Sequence, residues 1–217
     1  MKNLKRNLFQ RMLTEEEREK YAHMNRRSEE TREKLKSSLK SHLSTLNDGV
    51  IAIIITIMLL ELPSPTEAGY QGLLWAILVF FISFFVVADF WYENKRTFEI
   101  IDEVDHLTMI LNFVFLAVLG LIPVMTKWIM RDTTCFAVVN YGVVYLLTLL
   151  AHNFLHFSVL RKRFRAHSKL FVKLTAARIA QVLIPNLLLI ALGFFFPKIV
   201  MILYLALPVI GFLQPEY

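Results

Sequence analysis

Residues 46–60 read LNDGVIAIIITIMLL, a run that is almost purely aliphatic after Asp48 and Gly49. A helix needs roughly 20 apolar residues, at 1.5 Å each, to cross a bilayer core of about 30 Å. Together with its flanks, from Leu43 to Leu62, this run has that length. The run is continuous rather than alternating, and lipid offers a backbone no hydrogen-bond partners. The stretch therefore predicts a membrane-spanning helix.

The composition of the whole chain supports this interpretation. Of the 217 residues, 56% are hydrophobic and 13% aromatic, and the mean hydropathy is +0.50, far above the usage of globular proteins. A water-soluble chain of this size cannot bury so many apolar side chains. A single Cys and only 7 Gly and 7 Pro exclude a disulfide-stapled module and a collagen-like fibre. We expect an all-α integral membrane protein.

Six apolar stretches of suitable length follow residue 42, which predicts a polytopic domain of six transmembrane helices over residues 43–217. The stretches are Leu43–Leu62, Gln71–Trp91, Leu107–Trp128, Thr134–Phe157, Leu174–Phe196 and Ile199–Leu213. Residues 1–42 differ from the rest, because they hold twelve of the 24 Lys and Arg and no apolar run. They predict a charged cytoplasmic helical segment, most simply with a solvated face.

The positions of the basic residues predict the orientation. With the N-terminus inside, the cytoplasmic segments hold 20 of the 24 Lys and Arg, and the outer connections hold three. Those three are Lys127, Arg131 and Lys198, whereas Arg178 falls within the fifth predicted span. Because cytoplasmic loops carry an excess of Lys and Arg, both termini are predicted to be cytoplasmic. We expect a multi-pass protein of the plasma membrane.

Two polar residues begin the first span, and ionisable groups inside a membrane require an explanation. Asn47 and Asp48 lie near the cytoplasmic end, where a carboxylate can still reach water. Asp48 allows two interpretations. It bonds to backbone amides or a neighbouring helix, or it is a carboxylate at the mouth of an ion path.

Further along the span, Ile53, Ile57 and Leu60 are spaced i, i+4, i+7 and share one helix face. Almost any spanning helix contains such a triplet, so alone it indicates lipid contact or core packing. The stripe would face a common lumen only if several copies of the helix surround an axis. Thr56 lies partly on the same side, and its hydroxyl either bonds back to a helix carbonyl or lines a lumen.

Motifs for catalysis or cofactor binding are missing from the sequence. His152 and His156 lie one turn apart, but a metal site needs further ligands at matching depth. Cys135 has no base at a recognisable spacing, and no phosphate-binding loop or hydrolase elbow occurs. We expect no enzymatic activity, no metal, no cofactor and no nucleic-acid partner.

The stretch Leu46–Thr56 resembles the first-helix signature of the transmembrane protein 175 family of potassium channels. In that signature an Asp is followed by Gly-Val, Ala-Ile and a Thr, which match Asp48, Gly49, Ala52, Ile53 and Thr56. A second block, from Ser83 to Ile122-Pro123, resembles the second and third spans of the family. Together the two blocks cover about Leu46 to Pro123.

Four positions depart from the family pattern. His42 stands where the family has Arg, Leu46 and Asn47 replace Phe and Ser, and Asn94 replaces a His after the Trp. The network that ties the first helix to its neighbours in the family must therefore be lost or rebuilt here. By position, the residues expected to support the first helix are His42, Gly49, Ala52, Trp91 and Asn112.

The resemblance implies a homotetramer in the lipid bilayer, with the first helix of each subunit lining a pore for monovalent cations. The constriction then falls at Ile53, Ile57 and Leu60. The pore-lining or pore-mouth residues are Asn47, Asp48 and Thr56. The expected activity is a potassium-preferring cation leak, with K⁺ in the pore and an aliphatic ring as filter and gate. The alternatives are a proton-coupled or other carrier that uses Asp48, and a nonconducting membrane scaffold.

Overall fold

A computed structural model describes residues 14–101, 104–163, 180 and 183–213. Within these ranges every regular element is an α-helix, as the sequence predicts. We label the helices α1 to α8 in chain order. They are α1 Glu15–Leu60, α2 Pro65–Ile100, α3 His106–Leu119, α4 Ile122–Arg131, α5 Cys135–Arg163, α6 Leu183–Gly193, α7 Pro197–Leu203 and α8 Ala206–Leu213.

The chain divides into two compact units, Met1–His42 and Leu43–Tyr217. The described part of the first unit begins with a reciprocal cap. The backbone N–H of Thr14 donates to the Glu17 carboxylate at 2.9 Å, and the N–H of Glu17 donates to the Thr14 hydroxyl at 3.4 Å. Such a pair satisfies N–H groups that a helix start leaves free, so α1 begins at Glu15. The Thr14 N–H, together with the Thr14 hydroxyl that donates to the same carboxylate at 3.0 Å, holds the pKa of Glu17 below its usual range. The cytoplasmic placement of this segment stays a prediction.

Four helical segments are long and apolar enough to cross a membrane, which confirms the first four predicted spans. They are Ser37–Leu60, Pro65–Ile100, His106–Arg131 and Cys135–Leu160. The last two apolar helices, Leu183–Gly193 and Pro197–Val209, are shorter. Most of residues 174–182 lie outside the described ranges, so the count of six spans stays a prediction.

Local chemistry explains where α2 and α4 begin. Ser64 and Glu67 form a capping box before α2, and Pro65 occupies its first turn, where no N–H is needed. Inside α2, Gly69 has a φ of 67°, which glycine adopts without a Cβ clash, and the helix kinks there. The third span is broken between Leu119 and Ile122, and Pro123 lies at the start of α4.

The end of α2 corrects one boundary. The apolar run indicates an end at Trp91, but the helix continues to Ile100. Lys95 and Arg96, interpreted from the sequence as part of a connection, therefore lie on a helix. The extra turns carry the polar contacts described below.

The core of the second unit lies around α2. Val79, Ile82 and Val86 of α2 are fully buried, and Tyr141 and Tyr145 of α5 belong to the same cluster. α1 contributes one stripe to this core, formed by Ile51, Ile54 and Met58. In lipid such packing is stabilised by close contact rather than by removal of apolar surface from water.

Candidate functional site

The membrane part of α1 has one packed face and one exposed face. Asn47, Ile51, Ile54 and Met58 are buried at spacings of three or four residues. The predicted constriction residues lie on the opposite side, where Ile53 is 58% exposed, Ile57 42% and Leu60 83%. At about 100° per residue these three side chains fall within an arc of roughly 60°. The structure thus brings them onto one unpartnered stripe of the protomer.

Small residues adjoin this stripe. Gly49 has no atom within 4 Å of the position that a Cβ would occupy, and Ala52 is exposed. The Thr56 hydroxyl donates to the Ile53 carbonyl at 2.9 Å. This is the back-bonding that the sequence allowed as one of two roles for Thr56, and the side chain is also exposed.

Three asparagines anchor the packed face of α1. Asn47 donates from Nδ2 to Asn94 Oδ1 at 2.8 Å and to Asn112 Oδ1 at 3.1 Å, and Asn112 Nδ2 donates back to Asn47 Oδ1 at 2.8 Å. All three side chains are buried, so these bonds satisfy amide groups that are costly to leave unpaired. The cluster joins α1, α2 and α3 and fixes the rotation of α1 about its own axis.

A second polar contact ties Asp48 to α2. Lys95 Nζ lies 2.6 Å from Asp48 Oδ2, and Trp91 Nε1 donates to Asp48 Oδ1 at 2.8 Å. Lys95 also donates to the Ser44 hydroxyl at 3.2 Å. Both carboxylate oxygens therefore have a partner on one face of α2, since Trp91 and Lys95 are one turn apart.

Asp48 does not lie on the constriction stripe. Five residues separate it from Ile53, which places the two side chains about 140° apart around the helix. Asp48 occupies the edge between α1 and α2, where its side chain is 42% exposed. Its role at a pore mouth stays a prediction, and the structure shows it as an ion-paired residue.

The region that contains α2, α3 and the membrane part of α1 is similar to known proteins. A family model described as endosomal/lysosomal potassium channel TMEM175 matches residues 42–123. A protein named potassium channel from Chryseobacterium sp. (strain P1-3) is 34% identical over 128 residues, which is 56% of this chain and 66% of that protein. Another, from Streptomyces collinus (strain DSM 40733 / Tue 365), is 30% identical over 88 residues, 37% of this chain and 43% of that protein. The chain thus spans less than two thirds of either curated relative.

A solved structure shows the same fold. The crystal structure of a lysosomal potassium-selective channel TMEM175 homolog from Chamaesiphon minutus matches with a TM-score of 0.68 at 21% identity, and the match covers 81% of this chain and 97% of that one. Residues 42–123 therefore match the TMEM175 family, and the fold of the described residues resembles that of a TMEM175 homolog. The matched family model is described as a potassium channel, and the four long apolar helices support a membrane protein.

Two of the four departures from the TMEM175 pattern meet in space. Asn47 and Asn94 each replace a different family residue, and they bond to each other and to Asn112. His42, where the family pattern has Arg, is exposed. The cation that contacts Asp48 here is Lys95 of α2. Trp91 and Asn112 each form a hydrogen bond with α1, to Asp48 and Asn47, and their predicted role in supporting the first helix stays a prediction.

The two histidines of α5 contact a neighbouring helix. His152 Nε2 lies 3.4 Å and His156 Nδ1 3.0 Å from the hydroxyl of Thr97 on α2. Among the described residues no group of three or more His, Cys, Asp or Glu is placed to hold a metal. The two histidines therefore connect α5 to α2 through Thr97.

Sequence reasoning missed Lys95 and Asn94 as site residues. The pattern that could have indicated Lys95 is its i, i+4 spacing from Trp91. This spacing places both residues on one side of α2 if the helix extends beyond Trp91. The sequence identifies Asn94 only as a departure from the family pattern. A second polar departure, at Asn47, could have indicated that the two side chains contact each other. Asp89 interrupts an apolar run on α2, and its Oδ1 is buried without a hydrogen-bond partner among the described residues.

Proposed function

We propose that this chain forms a potassium-preferring cation channel in which α1 of each of four subunits lines the pore. The observation that carries the proposal is the two-sided character of α1. One face is anchored by Asn47 in a buried amide cluster, and the other presents Ile53, Ile57 and Leu60 to the outside of the protomer. The match of residues 42–123 to a family model described as a potassium channel supports the same activity.

The amide cluster gives the stripe a defined direction. Asn47 and Ile53 are six residues apart and therefore about 120° apart around α1. Any rotation that keeps Asn47 bonded to Asn94 and Asn112 keeps Ile53 pointing away from the bundle. Four copies arranged about an axis then place four Ile53 side chains against one lumen, in a closed symmetric assembly.

An aliphatic ring discriminates between ions through their hydration. Ile53, Ile57 and Leu60 offer no oxygen to replace hydration water, so an ion passes partly hydrated or loses water at a cost. Potassium is more weakly hydrated than sodium and loses less. The expected result is a modest preference for potassium and a low conductance, and a sufficiently narrow ring also gates by dewetting.

The proposed orientation has both termini in the cytoplasm, which puts the Asp48 end of α1 at the inner side. The excess of Lys and Arg in the segments assigned to that side supports it. We propose the plasma membrane as its location and the homotetramer as its working form.

Reconstitution of the purified protein in planar bilayers tests this function. We expect unitary K⁺ currents that are ohmic and persist without a coupling gradient. Flux that saturates and requires a proton gradient would instead identify a carrier, and a complete absence of K⁺ flux would leave a scaffold. Either result would overturn the proposal.

A further inference from the structure

Lys95 places a positive charge directly against the carboxylate at one end of the proposed pore helix. We propose that Lys95 sets the conductance by cancelling the charge of Asp48, so that the pore mouth is neutral instead of cation-attracting. This inference rests on the proposed channel function. It assigns Lys95 as a positioning residue that acts through Asp48.

The contacts show that the carboxylate is fully engaged. Lys95 Nζ contacts Asp48 Oδ2 at 2.6 Å, Trp91 Nε1 donates to Oδ1 at 2.8 Å, and the Ser44 hydroxyl accepts from Lys95 at 3.2 Å. Trp91 holds the Asp48 carboxylate in place, and Ser44 holds the Lys95 ammonium. The side chains of Lys95 and Asp48 are 32% and 42% exposed, so the pair faces the outside of the protomer.

The pair is close enough to the stripe to act on permeating ions. Asp48 precedes Ile53 by five residues, which is about 7.5 Å along the helix and about 140° around it, so its charge acts on ions at the stripe through the electrostatic field rather than by contact. At about 0.1 M salt the Debye length is roughly 10 Å, so an uncompensated carboxylate at this depth attracts cations to the constriction. With Lys95 beside it, the net charge of each pair is zero.

The neighbouring charges on α2 cannot take over from Lys95. Arg96 Nη1 lies 3.1 Å from Glu93 Oε1, and its guanidinium also lies over the Tyr92 ring at 5.7 Å. Loss of the Lys95 ammonium would therefore leave the Asp48 carboxylate without its cation from α2.

Single-channel recording at two salt concentrations tests the inference on full-length protein. For Lys95→Met, we expect K⁺ current that enters at the Asp48 end to rise about two-fold at 10 mM salt, where the Debye length is about 30 Å, and little at 1 M, where it is about 3 Å. Lys95→Arg should restore the wild-type salt dependence, because it keeps the positive charge. A purely structural role of Lys95 would change open probability or yield without this salt dependence.

Three further variants keep the outcome decisive. Asp48→Asn leaves the Lys95 charge unpaired and should lower the same low-salt current. This variant tests the inference independently if Lys95→Met fails to fold. Adding Asp48→Asn to Lys95→Met should reverse the increase. Lys20→Met removes a more exposed ion pair, with Glu16 in the first unit, and serves as a control for the loss of one lysine charge away from Asp48.

The results separate failure of the inference from failure of the function. If Lys95→Met and Asp48→Asn conduct K⁺ with wild-type amplitude at both salt concentrations, charge cancellation by Lys95 is wrong although the channel stands. If the wild-type protein carries no K⁺ current, the channel function itself is wrong and the inference falls with it.

Discussion

The two faces of α1 use the same aliphatic residues for different purposes. Ile51 and Ile54 are buried in the bundle, whereas Ile53 and Ile57 are exposed on the protomer surface. Hydrophobicity does not distinguish the two faces, because all four residues are isoleucine. What distinguishes them is Asn47, whose bonds to Asn94 and Asn112 fix which side of the helix is turned inward. A few polar contacts thus define which face of an apolar helix is turned toward the bundle.

The largest expected effect comes from removing that polar anchor. Asn47→Leu takes away three hydrogen bonds and leaves the buried amides of Asn94 and Asn112 short of partners. Stranding buried polar groups should destabilise the fold by about 2–4 kcal/mol. Thermal unfolding of purified protein in detergent measures the loss, and Asn47→Ser, the family residue, should be milder. Equal melting temperatures for Asn47→Leu and wild type would contradict the anchor.

The next effect concerns the exposed face. Ile53→Asn puts an amide where the account places an apolar ring, so hydrated sodium should pass more easily. A loss of roughly 1 kcal/mol of discrimination would lower the K⁺/Na⁺ permeability ratio about five-fold. The bi-ionic reversal potential measures this ratio.

The matched control for that variant lies one residue further on. Ile54→Val shortens a side chain of the packed face, where Ile54 is 4% exposed. It should cost about 0.5–1.5 kcal/mol of stability and leave the permeability ratio unchanged. A change of selectivity in Ile54→Val together with none in Ile53→Asn would reverse the assignment of the two faces.

A smaller effect is expected at Thr56. Its hydroxyl is already bonded to the Ile53 carbonyl, so Thr56→Val removes a polar group that the helix itself satisfies. We expect the stability to change by less than about 0.5 kcal/mol and the permeability ratio to stay near that of the wild type. A large drop in conductance would show instead that the hydroxyl faces permeating ions.

The smallest effect should follow deletion of residues 1–32. The anchor, the exposed stripe and the Asp48 pair all lie in the second unit. We therefore expect the truncated chain to keep its oligomeric mass in size-exclusion chromatography with light scattering. Dissociation to monomers would assign assembly to the charged segment.

The sequence predicted the first four spans because each has an apolar run long enough for a bilayer. It could not place the end of α2, since the polar residues after Trp91 resemble a loop until their partners on α1 and α3 are known. The bond between Asn47 and Asn94 joins residues far apart in the chain, and no local pattern indicates it. Which isoleucines of α1 are exposed also depends on these partners, although the family resemblance gave the stripe as an expectation.

Silver block of cysteine variants tests most directly whether the exposed face of α1 borders the pore. In a Cys135→Ser background, which removes the exposed native thiol, Ag⁺ should irreversibly block K⁺ current through Ile53→Cys channels and leave Ile54→Cys channels conducting. Rapid block at position 54 with none at position 53 would contradict a pore lined by this face of α1.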